Sequence, residues 1–254
     1  KVRCTDDLYE NNTRTTERLL EAVTTQGAEL TRFVLLSSYA AHGPRDDPRP
    51  VGADDPPEPR SHYGRSKLLA EEVTLARAKN LPVTVLRPPG IYGPGDTRLL
   101  PLFRGVQRGL VFIPSSRGLA SWLHVDDCCD ALLAALTTPH PSGRVYLVDD
   151  GRPRSIDQLV SSVAGAIGRD PSVFHVPLWG VNVVASLNEV WSRLSGRPGL
   201  LTRDKIRDLT VPNWIGDTGP IRRELGWTPK REFNAGIQEM TRWFVERGCL
   251  SPNE

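Results

Sequence analysis

Two short apolar runs restrict the fold more than any other feature of this sequence. RFVLLS occupies residues 32–37 and PVTVLR occupies residues 82–87. An uninterrupted apolar run of this length is typical of a buried strand, as in a parallel sheet covered on both faces. Helix-like segments precede the two runs, at residues 9–26 and 62–79. Alternating helices and strands predict an α/β fold with a doubly wound parallel sheet.

The remaining sequence continues this alternation and becomes more helical toward the C-terminus. Residues 44–60 are dense in Pro, Asp and Arg, so we expect a surface excursion that packs no core, and we expect a loop at PPGIYGPGD (88–96). The further predicted strands are 121–125 and 144–150, and the further predicted helices are 98–109, 126–136 with Asp126 as cap, 156–167 with Ser155 as cap, 202–209, 217–225 and 233–247.

Composition excludes several classes of protein. The 254 residues carry 32 Lys and Arg against 30 Asp and Glu, and the basic residues form no stripe, so we expect no nucleic-acid partner. Four cysteines without C-x-x-C spacing indicate a reducing compartment, and we expect a cytoplasmic protein. The five histidines show no ligand spacing, so we expect no metal. No apolar run approaches the ~20 residues of a membrane-spanning helix.

A tyrosine and a lysine form the strongest chemical signal. Tyr63 and Lys67 are four residues apart on one face of a predicted helix, so a fixed ammonium can stabilise the phenolate of a proton-transferring tyrosine. Ser38 follows the first apolar strand, at the sheet edge where parallel α/β folds bind ligands. Its hydroxyl could hydrogen-bond a substrate oxygen beside Tyr63. The alternative is that Ser37 and Ser38 end the strand through local backbone hydrogen bonds.

The sequence resembles the extended short-chain dehydrogenase/reductases, also called the NAD-dependent epimerase/dehydratase family. The segments that carry the resemblance are NNTRTTERLLEA (11–22), FVLLSSYAAHG (33–43), YGRSKLLAEE (63–72), VTVLRPPGIYGPGD (83–96), LHVDD (123–127) and IRRELGWTPKREFNAGIQEMTRWF (221–244). The resemblance implies a Rossmann-like domain over residues 1–150 and a smaller mixed substrate lobe over 151–254, interleaved with part of 88–125. It also implies NAD or NADP as cofactor and a small-molecule substrate.

The resemblance assigns roles to individual residues. Tyr63 is expected to be the general acid/base, Lys67 to favour its phenolate and hold the nicotinamide ribose, and Ser38 to orient the substrate oxygen. Asn12 matches the helix asparagine near the cofactor and the proton relay. Ser37, Pro88 and Pro89 are placed with the cofactor-binding residues. Four further residues match the family pattern, but turn and helix-cap roles are favoured for them: Arg87, Tyr92, Asp126 and Asp127.

Two departures from the family pattern bear on function. No G-x-x-G-x-x-G turn is present, so we expect that the first strands of the nucleotide-binding half are missing from this chain and that its cofactor binding is in question. Gly90 stands where nucleotide-sugar enzymes of the family usually carry asparagine, and RPPGIYGPGD is closer to 3β-hydroxysteroid dehydrogenases. The apolar run at 177–187 is interpreted either as lining for a lipophilic pocket or membrane contact, or as an ordinary buried or subunit-contact helix.

The leading hypothesis is an NAD(P)-dependent oxidoreductase that moves a hydride between the nicotinamide and a secondary alcohol or ketone of lipophilic or steroid-like character. The alternatives are a nucleotide-sugar 4-epimerase or dehydratase and, for this chain without its glycine-rich turn, a non-catalytic protein with a dinucleotide-binding fold. By analogy with the family, we expect a homodimer that packs through the helices at 9–26 and 62–79.

Overall fold

A three-stranded parallel sheet forms the centre of the fold. The computed structural model describes residues 5–27, 29–115, 118–177, 179–180 and 213–251. Its strands are β1 (Phe33–Leu36), β2 (Val83–Arg87), β3 (Gly90–Tyr92), β4 (Leu110–Pro114), β5 (Leu119–Ala120), β6 (Trp122–His124), β7 (Arg144–Leu147), β8 (Ser172–Val176) and β9 (Asn213–Trp214). The central sheet has the order β1-β2-β7, with all neighbouring pairs parallel.

Helices cover both faces of this sheet. The described helices are α1 (Thr5–Tyr9), α2 (Thr15–Thr25), α3 (Tyr39–His42), α4 (His62–Leu75), α5 (Leu100–Arg108), α6 (Val125–Thr137), α7 (Ile156–Ile167), α8 (Gly219–Leu225) and α9 (Phe233–Glu246). All five residues of β2 are buried. Leu86 packs into a core with residues of α6 and α8, whereas Arg87 contacts α4. Because successive strand residues face opposite sides, α4 and α6 lie on opposite faces, which confirms the doubly wound α/β prediction.

A second core joins the later part of the chain. Phe103 of α5, Val163 of α7 and Phe244 of α9 are fully buried in one apolar cluster, together with residues of β4. Strand β4 pairs in parallel with β8, and their exposed faces carry Phe112 and Phe174 with ring centroids 5.5 Å apart. Among the residues that the structure describes, no helix combines the length and apolar character needed to cross a membrane.

Several predicted elements need correction. Strand β3 lies inside the predicted loop 88–96, because it pairs with β6 and seats Gly90 against the ring of Trp122. Strands β4 and β8 were not predicted, and β7 ends at Leu147 rather than at residue 150. Val51 of the 44–60 excursion is buried, since its amide bonds Ile215 O at 2.9 Å and its side chain packs in a core cluster. The excursion therefore does contribute to a core.

The helix caps divide into one correct and one wrong prediction. Ser155 caps α7 in a reciprocal capping box with Gln158, as predicted. Asp126 does not cap α6: the extended residue His124 does, by accepting a hydrogen bond from the Asp126 amide at 3.2 Å, and Asp126 lies in the first turn. The predicted helices at 217–225 and 233–247 correspond to α8 and α9. The prediction at 202–209 and most of the run 177–187 lie outside the described residues.

Candidate active site

Tyr63 and Lys67 lie in the first two turns of α4, on the same face. The helix begins at a cap in which the Ser61 hydroxyl accepts from the Gly64 amide at 3.1 Å. The ammonium of Lys67 donates to Leu36 O at 3.0 Å and lies 6.0 Å from the centroid of the Tyr63 ring. Lys67 is therefore anchored to the carboxyl end of β1, and the tyrosine ring is 37% exposed to solvent.

The ammonium of Lys67 occupies a partly desolvated position. Burial lowers the pKa of Lys67 below its usual value, and the carboxylate of Glu71 acts against that change by raising the pKa. An ammonium has three N–H donors, and Leu36 O takes one of them. Among the described residues, no other acceptor takes the remaining two donors, so they can serve hydroxyl groups of a bound molecule such as a ribose diol.

Ser38 follows β1 directly, on the same sheet edge. Its backbone is extended, and its hydroxyl oxygen accepts a hydrogen bond from the Ala40 amide at 3.2 Å, which caps α3. Ser38 thus makes the local hydrogen bond to the backbone that the sequence offered as the alternative to a role with substrate. This bond does not consume the hydroxyl proton, because an oxygen that accepts one bond can still donate, so the same side chain can hold a substrate oxygen.

Gly64 allows α3 and α4 to come together. A Cβ atom at this position would collide with Ala40 O, a backbone atom of α3. The absence of a side chain at Gly64 therefore lets the start of α4 pack directly on the short helix that follows Ser38. The contact therefore holds the start of α4, which includes Tyr63, against the short helix that Ser38 caps.

Asn12 lies in a π-helical turn, Glu10–Arg14, between α1 and α2. Its side-chain amide donates to Ser66 Oγ at 2.9 Å, and Ser66 Oγ donates to Tyr63 O at 2.8 Å. The neighbouring Thr13 hydroxyl donates to Ser66 O at 2.9 Å. Two consecutive hydrogen bonds thus connect Asn12, through Ser66, to the backbone carbonyl of Tyr63. Sequence periodicity predicted a regular helix here, and π-turns are frequent at functional sites.

The two prolines and Ser37 occupy the ends of neighbouring strands. Pro88 follows β2 and accepts a hydrogen bond from the Tyr39 amide at 2.8 Å, while Pro89 is only half-buried. Ser37 is buried, and its hydroxyl donates to the carboxylate of Glu71. The hydroxyl proton of Ser37 is therefore used within the protein and is not available to donate to a cofactor. Pro88 is buried, so Pro89 is the proline of the pair that presents a partly exposed surface to a flat ring.

A buried ion pair beneath the strand ends was not predicted. The guanidinium of Arg87 contacts both carboxylate oxygens of Glu71, with Nη2 to Oε2 at 2.6 Å, and both side chains are at most 5% exposed. Glu71 lies four residues after Lys67 and eight after Tyr63, which puts all three on one face of α4. The four-residue spacing of Tyr63, Lys67 and Glu71 was the sequence signal that could have identified Glu71. The sequence had suggested only a structural role for Arg87.

The other family-matching residues have structural contacts. Asp127 is buried and accepts from the amides of Lys230 and Arg231 at 2.9 and 3.0 Å, which holds the segment before α9. Asp126 pairs with the Arg231 side chain at 2.8 Å. Tyr92 is buried against His124, and burial raises its pKa further above its usual value. Within the described ranges, no cluster of three or more His, Cys, Asp or Glu could hold a metal ion.

The residues present fit one half of a dinucleotide. In the part of the chain that the structure describes, Lys67 keeps two N–H donors without a partner. These donors, the Ser38 hydroxyl and the partly exposed Pro89 suit a nicotinamide and its ribose. The sequence contains no G-x-x-G-x-x-G turn for the diphosphate. A parallel sheet with a Tyr–Lys pair and a serine at its carboxyl edge defines the short-chain dehydrogenase class of Rossmann-like proteins.

Comparison with known families agrees with this class. The model of the NAD dependent epimerase/dehydratase family matches residues 3–148. The chain belongs to this family, as its motifs predicted.

Two curated relatives match most of this chain. The chain is 29% identical over 235 residues to a ceramide reductase of Caulobacter vibrioides, covering 92% of this chain and 67% of that protein. It is 31% identical over 211 residues to short-chain dehydrogenase/reductase family 42E member 1 of Danio rerio, covering 74% of this chain and 53% of that one. The chain thus spans about half of the second relative.

A solved structure extends the likeness to the fold. DesIV, a dTDP-glucose 4,6-dehydratase from Streptomyces venezuelae with NAD and TYD bound, superposes with a TM-score of 0.74 at 26% identity, covering 97% of this chain and 69% of that one. The Rossmann-like assignment is therefore confirmed.

Proposed function

We propose that this protein is an NAD(P)-dependent oxidoreductase that interconverts a secondary alcohol and a ketone. The observation that carries the proposal is the placement of Lys67, whose ammonium is anchored on Leu36 O and lies 6.0 Å from the Tyr63 ring centroid. A positioned acid/base next to a desolvated cation at a parallel sheet's carboxyl edge is what reversible proton transfer to a substrate oxygen requires.

Each residue has a distinct task in this proposal. NAD or NADP supplies the hydride acceptor or donor. Tyr63 gives a proton to the substrate oxygen or takes it away, and Lys67 stabilises the phenolate and donates to the ribose. Ser38 donates its hydroxyl proton to the same substrate oxygen, while its own oxygen stays bonded to the Ala40 amide. Asn12 holds α4 through Ser66, and Pro88–Pro89 back the nicotinamide ring.

A lipophilic substrate is favoured over a nucleotide sugar. Gly90 replaces the asparagine that nucleotide-sugar enzymes usually carry, and it packs under Trp122 without a side chain that could bond a sugar. The ceramide reductase among the relatives acts, by its name, on a lipid. The likeness to DesIV keeps the second candidate in place, a nucleotide-sugar 4-epimerase or dehydratase, in which the same hydride step is transient.

Two measurements on the purified protein separate these candidates. A fluorescence titration with NADH and NADPH is expected to show binding of one of them. Nicotinamide absorbance is then followed with long-chain 3-oxo lipids or steroid ketones, and with UDP- and dTDP-hexoses. Net oxidation with the lipophilic ketones supports the proposal. Sugar conversion without net oxidation supports the second candidate. A folded protein that binds neither dinucleotide contradicts both candidates for this chain and supports the third reading, a non-catalytic protein with a dinucleotide-binding fold.

We also propose that the protein forms a homodimer through α2 and α4. Helices α2 and α4 pack against each other, and each presents an exposed leucine to solvent: Leu19 of α2 is 54% exposed and Leu69 of α4 is 40% exposed. The double substitution Leu19→Lys and Leu69→Glu is expected to shift the protein from dimer to monomer in sedimentation velocity. The matched control is Leu133→Lys, which changes a 57% exposed leucine on α6. A monomeric starting protein would refute this interface.

A further inference from the structure

The face of α4 that carries Tyr63 and Lys67 continues to a third polar residue. Glu71 lies one helical turn beyond Lys67 and is 1% exposed. Its carboxylate accepts from the Ser37 hydroxyl and from Nε and Nη2 of Arg87, at 3.0 and 2.6 Å to the nearer oxygens. A carboxylate this deeply buried is stable in its ionised form only when paired and hydrogen-bonded.

These bonds connect three parts of the site. Ser37 lies between Leu36, whose carbonyl accepts from Lys67, and Ser38. Arg87 is the last residue of β2 and directly precedes Pro88, whose carbonyl accepts from the Tyr39 amide. One carboxylate on α4 therefore holds the end of β1 and the end of β2. Glu71 binds Ser37, and Lys67 binds the carbonyl of Leu36, the residue just before it.

We propose that Glu71 is a positioning residue, which fixes the ammonium of Lys67 and the ends of β1 and β2 relative to one another. It touches neither substrate nor cofactor in this proposal. Its role in turnover rests on the proposed function, but its effect on Lys67 does not. Burial lowers the pKa of Lys67, and the negative charge of Glu71 raises it. The carboxylate therefore also helps to keep the ammonium charged.

The test compares two single substitutions on α4. Glu71→Gln removes the buried charge, whereas Glu72→Gln removes an exposed charge from the adjacent residue. Turnover number is expected to fall about 10–100-fold for Glu71→Gln, because the reacting groups lose their alignment, with a smaller change in KM. Glu72→Gln is expected to match the unmodified protein.

A second readout is independent of turnover. The sequence contains five lysines, at positions 1, 67, 79, 205 and 230, so 13C-methylated lysines give few NMR signals, and Lys67→Arg assigns the one of interest. The Lys67 pKa is expected to be lower in Glu71→Gln than in Glu72→Gln. An unchanged pKa together with unchanged turnover would overturn the positioning role. If Glu71→Gln lowers the Lys67 pKa but the unmodified protein shows no turnover, the proposed function is wrong and the positioning of Lys67 by Glu71 still holds.

A double variant guards against simple unfolding. Glu71→Gln leaves the Arg87 guanidinium buried without its partner charge, which is strongly destabilising. Glu71→Gln combined with Arg87→Met removes both charges, and such neutral replacements are often tolerated. We expect this double variant to fold, as circular dichroism can verify, and to retain the low turnover and the lowered Lys67 pKa. Recovery of both to unmodified values would show that the pair is purely structural and would overturn the proposal.

Discussion

Replacing Tyr63 by phenylalanine is expected to reduce dinucleotide-linked turnover by about 10²–10⁴-fold, the usual contribution of one positioned acid/base. The substitution removes a single oxygen from a ring that is 37% exposed, so the core loses no buried volume. Lys67 keeps its bond to Leu36 O, and the serine keeps its place at the end of β1. The expected defect is therefore in proton transfer, with dinucleotide affinity little changed. Turnover by nicotinamide absorbance and affinity by fluorescence titration measure the two effects separately.

The matched control for this experiment is Tyr146→Phe. The Tyr146 hydroxyl donates to Glu224 at 2.8 Å, and its ring belongs to the core on the α6 side of the sheet. Loss of that hydroxyl costs about 1 kcal/mol of stability and is expected to leave turnover intact. If Tyr63→Phe retains turnover, Tyr63 is not the general acid/base. An equal loss in both variants would point to stability instead of chemistry.

The order of the main helices and strands could be predicted because each carries its own signal. The apolar runs before Ser37 and after Leu81 are long enough to identify β1 and β2, and Ser155 identifies the start of α7. Strand β3 has three residues, one of them Gly90, and it exists because β6 lies beside it. That pairing joins segments about thirty residues apart, which no local pattern contains.

Strands β4 and β8 were missed for a related reason. Burial alternates along β4, but the exposed positions Leu110 and Phe112 are as apolar as the buried ones, so the sequence shows no period of two. The π-turn at Asn12 could not be predicted because the sequence around it has ordinary helical spacing. The turn coincides with bonds from Asn12 and Thr13 to Ser66, more than fifty residues away.

In the candidate site, too, residues with a local sequence signal could be predicted, whereas contacts between distant segments could not. Spacing alone was enough to bring Tyr63 and Lys67 to one helix face, and the strand-end rule located Ser38. Glu71 has the same helical spacing, yet an acid on a helix is usually solvated. Its burial follows from Arg87 and Ser37, which arrive from different strands. The sequence could therefore locate the residues for which we propose a chemical role, but it did not reveal the buried ion pair of Glu71 and Arg87.

The second large effect is expected at Gly64, where alanine would disturb both stability and the site. An added Cβ would collide with Ala40 O, and Ala40 is buried in α3, so neither backbone can move freely. Overpacking of this kind costs about 1–3 kcal/mol, or more when backbone must shift. Relief requires that α4 move away from α3, which would carry Tyr63 away from Ser38. We therefore expect a lower midpoint of thermal unfolding, together with a fall in turnover that exceeds the loss of folded protein.

Gly165→Ala is the matched control, with the opposite expected sign. Gly165 lies in α7, it is exposed, and a Cβ there would meet no atom of the described residues within 4 Å. Alanine is the better helix former by about 0.5–1 kcal/mol, so this variant is expected to unfold at a slightly higher temperature, at about 2–4 °C per kcal/mol for a domain of 150–250 residues. Both substitutions add one methyl group to a helical glycine, so the difference between them isolates the contact with Ala40. Equal midpoints and equal turnover for the two variants would show that the α3–α4 approach does not set the position of Tyr63.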